Sequence, residues 1–229
     1  MFRTPGAKKS SAPRVASCSA FVQGRGRMPE SRPRYHLPIL LAIISLVVGG
    51  AAYFLIQSRG AAAKSPVTLA WRAHDVEGLT IDAPFPFAPT GDMLPQLPPE
   101  VRLLVSSWKN QGGALPGDTL RANISHILYQ ADVGVSLEGA ANGAMTEAAA
   151  ALGDEKPQYT VVSTQVSGLE ARRASYTGRI KRQPIWIDAL FVLRGQELWQ
   201  IQTIVSVDTV RAAGERLLAS VRMGDVGSE

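Results

Sequence analysis

Charge and polarity vanish over residues 37–56, a run of twenty apolar, small or hydroxylated side chains. As a helix rising 1.5 Å per residue, it is about 30 Å long, enough to cross a bilayer core. It lacks the polar positions at helical spacing of a core helix, and it exceeds the ~7–15 apolar residues of a cleaved signal. It therefore predicts a transmembrane signal anchor. Residues 61–63, all alanine, are the cleavage site that the competing signal-peptide reading would use. Residues 57–66 are small and polar and read as a linker.

Beyond Pro66 the pattern changes to period two. Val67, Leu69 and Trp71 alternate with polar positions and predict a first strand, followed by a polar turn over residues 74–78. Residues 79–87 alternate again, until Pro84 and Pro86 demand a sheet edge. Residues 86–100 hold five prolines and read as a loop. Pro99 and Glu100 suit a helix start, and Val101, Leu104, Val105 and Trp108 give a helical stripe that Gln111-Gly112-Gly113 would end. A strand follows over residues 120–129. Residues 136–152 form an alanine-rich helix, with Ser136 as N-cap and Gly153 as stop. Gly139 and Gly143 weaken that helix and make sense where it presses on a sheet. Residues 159–165, 169–180, 185–194 and 197–207 read as a strand meander, the last two joined by a tight turn at Gly195. Asp208 is the expected cap of a closing helix whose Val210, Leu217, Leu218 and Val221 face inward.

The predicted fold is α+β: a largely antiparallel sheet with helices packed on it, preceded by one transmembrane helix. The divisions are a basic tail at 1–36, the span at 37–56, the linker at 57–66, a domain at 67–223 and a frayed tail at 224–229. Residues 166–172 (Val-Ser-Gly-Leu-Glu-Ala-Arg), 198–201 (Leu-Trp-Gln-Ile) and 217–222 (Leu-Leu-Ala-Ser-Val-Arg) resemble the PsbP-like and DcrB-like superfamily. The resemblance covers residues 67–223. It implies the fold, and an accessory or binding role without a shared catalytic site.

Charge changes the picture by its placement. The chain carries a formal +5, but residues 1–36 alone hold eight Lys/Arg against one Glu. Residues 65–229 hold fourteen Lys/Arg against eighteen Asp/Glu. A mildly acidic domain is a poor nucleic-acid binder, so no nucleic-acid partner is expected. The basic flank predicts a cytoplasmic N-terminus and an extracytoplasmic domain, at an inner or plasma membrane. Met28 opens a complete short flank; initiation there would remove six basic residues and leave a charge of −1. The lone cysteine, Cys18, rules out an internal disulfide, and residues 1–14 lack the apolar run that a lipoprotein signal needs. Ser45 and Gly49 form a small-xxx-small face through which two spans would dimerise.

Catalytic patterns are weak. His36, His74 and His126 show no metal-ligand spacing, and neither metal nor cofactor is expected. Residues 134–139 (Gly-Val-Ser-Leu-Glu-Gly) are one residue too long for a nucleophile elbow. Asp154-Glu155 reads as solvated loop, and Asn123-Ile124-Ser125 as a chance glycosylation match. The remaining candidate is a cluster of cations, Arg172, Arg173, Arg179, Lys181 and Arg182, suited to an acidic envelope protein or anionic lipid. Three functions follow. The first is a membrane-anchored, non-catalytic accessory or binding protein of a cell envelope. The second is an envelope hydrolase using Ser136 with His74 or His126. The third is a structural subunit assembling through its transmembrane helix.

Overall fold

The computed structural model describes residues 69–224. The basic tail, Met28, Cys18, the span 37–56 with its Ser45/Gly49 face, and most of the linker lie outside the described residues.

Among the described residues ten strands, all paired antiparallel, form two sheets. The first strands are β1 (Arg72–Val76), β2 (Leu79–Ala83) and β3 (Ala88–Asp92). A helical turn α1 (Pro99–Arg102) leads into β4 (Val105–Ala114) and β5 (Leu120–Tyr129). Helix α2 (Leu137–Ala151) precedes a meander of β6 (Tyr159–Val166), β7 (Leu169–Ile180), β8 (Gln183–Arg194) and β9 (Glu197–Val205). Helix α3 (Arg211–Ala219) and the short β10 (Arg222–Met223) close the chain. The large sheet has the order β3-β4-β5-β9-β8-β7-β6; the small one is β1-β2-β10.

The large sheet is buried on both faces. On one, Ile187, Ala189 and Phe191 of β8 and Leu198 of β9 meet Ala141, Ala144, Met145 and Ala148 of α2. On the other, Leu190 and Val192 of β8 and Trp199, Ile201 and Val205 of β9 join Leu217 of α3 and Leu79 and Ile81 of β2. So the alternate apolar residues 185–191 of β8 and 199–205 of β9 face opposite cores. Helix α2 starts where the sequence places it: the Ser136 hydroxyl accepts the Gly139 amide at 3.0 Å. It stops at Gly153, which takes φ +76°. Gly143 is buried within it.

Several expectations fail. The stripe Val101–Leu104–Val105–Trp108 is not one helix: only Pro99–Arg102 is helical, and Val105 begins a ten-residue strand. Val101, Val105 and Trp108 enter the same core, which a short helical spacing shares with a turn followed by a strand. The decisive factor is the β4 ladder to β5, from Val105 against Tyr129 to Ala114 against Arg121. Gly112 and Gly113 lie inside β4 rather than ending a helix. A Cβ on Gly113 would sit 2.4 Å from the Phe85 ring and 2.6 Å from the Pro86 carbonyl oxygen.

The first described strand is Arg72–Val76, past the predicted residues; it runs through most of the predicted turn, because the turn needs only Glu77 and Gly78, at φ +49° and +81°. The proline-rich loop holds β3, an edge strand with a register shift between Pro89 and Gly91. Asp208 starts a 3-10 turn and makes no cap; the N-cap of α3 is Val210, also without a side-chain bond. Val221 is buried but lies beyond the helix, just before β10 pairs with β2.

Replacing Gly113 with alanine forces Phe85 or the Pro86 backbone to move. The expected cost is about 1–3 kcal/mol of unfolding free energy. Urea denaturation of Gly113→Ala checks this; Gly153→Ala, open in space but strained in φ, is the comparison.

Candidate functional site

His126 lies on β5, on the sheet face that carries α3. Its ring stacks on Trp199 of the neighbouring β9, with centroids 4.6 Å apart and planes 8° from parallel. Its nitrogens face two carboxylates: Nδ1 is 3.7 Å from Glu77, in the β1–β2 turn, and Nε2 is 3.7 Å from Glu197. Each carboxylate has a nearer partner. Lys109 Nζ and Gln111 Nε2 donate to Glu77 at 3.0 and 3.1 Å. Arg194 donates to Glu197 at 2.9 and 2.6 Å, and its guanidinium stands 4.8 Å from the Trp199 ring centroid. Trp199 Nε1 donates to the Glu77 carbonyl at 2.8 Å. This bond ties the small sheet's turn to the large sheet, and it holds Glu77 in its left-handed conformation.

Burial pushes the His126 pKa below the ordinary histidine value, and Lys109 pushes it further; the charges of Glu197 and Glu77 oppose this without reversing it. Among the described residues neither ring nitrogen has a hydrogen-bond partner. For Glu77, burial pushes the carboxyl up. The hydrogen bonds from Lys109 and Gln111, with the charges of Lys109 and His126, outweigh it and hold the group below its usual range. The arrangement stacks and pins rather than poising a base against a nucleophile.

Ser136 is not brought to either histidine. It caps α2, whose core lies on one sheet face, while His126 stacks on Trp199 in the other core. His74, on β1, meets Phe87 edge-on at 5.8 Å, and its Nε2 has no partner among the described residues. The Ser136 hydrolase reading therefore lacks its geometry. No group of three or more His, Cys, Asp or Glu side chains among the described residues is arranged to hold a metal. A shallow groove of about 580 Å³ runs along the β3–β4 edge, lined by Pro89, Asp92, Leu94, Trp108 and Lys109 among others.

The cation cluster divides. Arg172 is bonded to Glu138 at 3.2 Å and Glu170 at 2.9 Å, and its side chain is only 18% exposed. Arg173, the next residue of the strand, points to the opposite face. Arg179, Lys181 and Arg182 gather at the exposed tip of the β7–β8 hairpin. The chain there places two non-glycine residues at positive φ, Lys181 at +48° and Arg182 at +73°. Among the described residues the other two-residue hairpin turns with positive φ at both positions use Glu77-Gly78 and Ser167-Gly168.

Sequence reading missed the Trp199 cluster and a row of amides in the α2-side face of the sheet. Asn110 Oδ1 accepts the Trp108 indole at 3.3 Å and the Ser125 hydroxyl at 2.5 Å. Gln200 and Gln202 are 2% and 1% exposed, with side-chain nitrogens unpaired among the described residues. The available signal was Gln200 and Gln202 flanking Ile201 in an otherwise apolar strand. What they face depends on strand order.

Two titrations follow. His126 favours the neutral fold, so its contribution is complete above an unfolded pKa of about 6.5 and is lost as pH falls through the lower folded value. Thermal unfolding of His126→Gln should lose that acid-side slope just below pH 6.5, leaving the Glu77 slope below about pH 4.5. Glu147 of α2 behaves oppositely. Burial pushes its carboxyl up to about 7, and its Oε2 has no partner among the described residues. Stability is lost as pH rises through that value, so Glu147→Gln should gain on the parent at pH near 8 and not at pH near 4.

No family model matches the chain, and no curated protein is similar to it. Solved structures give distant similarities. Cyanobacterial PsbP (CyanoP) from Synechocystis sp. PCC 6803 is 9% identical, with 72% of this chain and 98% of that chain covered and a TM-score of 0.44. LpqN of Mycobacterium tuberculosis, involved in cell envelope biogenesis, is 12% identical over 69% of this chain and 92% of that one, with a TM-score of 0.33. PA94 of Pseudomonas aeruginosa, a protein of unknown function described as a putative regulator, is 10% identical over 62% and 87%, with a TM-score of 0.29. At 9–12% identity none of the three transfers a residue assignment to this chain.

Proposed function

We propose that the chain is a non-catalytic accessory or binding protein of a cell envelope. Residues 37–56 anchor it, and the domain outside the cytoplasm meets an anionic surface through Arg179, Lys181 and Arg182. The observation that carries the binding role is the strained turn. A non-glycine residue in the left-handed region costs about 1–2 kcal/mol relative to glycine. Lys181 and Arg182 both sit there, at the one turn of the β6–β9 meander occupied by two cations. Charge kept at a strained, exposed turn with no ion pair among the described residues supports a contact role. Anionic headgroups or an acidic envelope protein supply the complementary charge. The charge-free run 37–56 supports the anchoring, and the basic flank supports an N-terminus inside.

The experiment separates fold from function. Replacing Lys181-Arg182 with Asn-Gly should stabilise the fragment 67–223 by about 1–2 kcal/mol while weakening its sedimentation with anionic vesicles at low salt. Unchanged vesicle binding would remove lipid from the reading and leave the acidic protein partner. For topology, a reporter active only outside the cytoplasm and fused after Glu229 should be active, and the full chain should resist alkaline extraction from membranes.

A further inference from the structure

Strand β6 is an edge of the large sheet and carries none of the usual protections of an edge. Its eight residues, Tyr-Thr-Val-Val-Ser-Thr-Gln-Val, contain no charge, proline or glycine. The opposite edge, β3, is five residues long, contains Pro89 and Gly91, and is interrupted by a bulge. Natural sheets blunt exposed edges in that second way, because unpaired backbone groups invite another strand. Val162, at 53% exposure, is one of two large apolar side chains left in water among the described residues.

The register says which groups are free. The two-residue turn Ser167-Gly168 is closed by Val166 against Leu169, which makes that pair hydrogen-bonded. Alternation then bonds Thr164, Val162 and Thr160 to β7 and turns the amides and carbonyls of Tyr159, Val161, Ser163 and Gln165 outward. Among the described residues none of these outward groups has a backbone partner beyond the strand ladders.

We infer that β6 pairs antiparallel with β6 of a second copy of this chain about a two-fold axis at Val162, joining two seven-stranded sheets into one. Val162 then lies opposite its own mate in a non-hydrogen-bonded pair, where side chains approach most closely. Val161 faces the mate's Ser163, Thr160 its Thr164 and Tyr159 its Gln165. Every pair is neutral, and Thr–Thr is a favourable cross-strand combination. A strand of charged residues would find no complementary charge on β6, which favours the self-match. One strand edge falls below the roughly 1,000 Å² of a stable complex, so the pairing is weak in isolation. Two chains held in one bilayer complete it through raised effective concentration; that clause alone rests on the anchoring proposed above.

The geometry gives a symmetric cross-linking test. In a non-hydrogen-bonded pair the Cα atoms stand about 4.5 Å apart, within disulfide range. Cys18→Ser removes the natural thiol. In the full chain in lipid bilayers, Val162→Cys should form a homodimer disulfide under mild oxidation, and Gln165→Cys, whose mate is Tyr159, should not. Adding Ser163→Pro, which removes an outward amide and no bond to β7, should abolish the cross-link. Thr160→Lys with Thr164→Lys should abolish it through like-charge repulsion, and this pair leaves the backbone of β6 intact. Equal cross-linking at 162 and 165, no cross-linking at 162, or cross-linking that survives both disruptions overturns the proposal. So does capture of a different protein at position 162. Should the chain prove not to be anchored, cross-linking at 162 at high protein concentration would still uphold the β6 pairing.

Discussion

The fold depends on a sheet whose central strands carry large apolar side chains on both faces. β8 and β9 present Ile187, Ala189, Phe191 and Leu198 to one side and Leu190, Val192, Trp199 and Ile201 to the other. Water must be excluded from both, so the chain supplies two covers, α2 on one side and α3 with the small sheet on the other. The covers differ in character. Helix α2 presents alanines and a buried glycine, which let its backbone lie close. The second cover contains a three-stranded sheet that must be fixed in position as well as apolar, and Trp199 does both. Its ring fills the core while its indole nitrogen holds the Glu77 carbonyl.

This explains why the charged cluster around His126 is structural. Glu77 occupies a conformation unfavourable for a residue with a Cβ, and the Trp199, Lys109 and Gln111 contacts all converge on it. Lys181 and Arg182 show the contrast: they adopt the same unfavourable region with no ion pair among the described residues. Strain at Glu77 is matched by neighbouring contacts; strain at Lys181 and Arg182 faces solvent, which is the basis of the binding role proposed above. The same distinction separates the two sheet edges, one blunted by proline and a bulge and the other left neutral and regular.

Much of the fold was legible in the sequence. Period-two alternation was clearest in β8 and β9, where Ile185, Ile187, Ala189 and Phe191 line one face and Trp199, Ile201 and Val205 another. Ser136 and Gly153 bounded α2 because capping is local chemistry. The basic hairpin tip was visible as charge, but its left-handed turn was not. Pairing Ser136 with a histidine failed because the sheet separates them. The helix drawn through Trp108 failed because four apolar positions at helical spacing also fit a turn entering a strand, and only the β5 ladder distinguishes them.

The sequence by itself determined the apolar run 37–56, the charge imbalance along the chain, the strand-rich C-terminal third and the caps of α2. Each is set by residues adjacent in the chain or one helical turn apart. Tertiary structure alone decided which core each stripe enters, that Glu77 meets Trp199 across 122 positions of sequence, that Arg172 is occupied by Glu138 and Glu170, and that β6 is an edge. The physical reason is common to all four. Strand order and the crossing of layers bring distant residues into contact, and no local period encodes which strand becomes the neighbour.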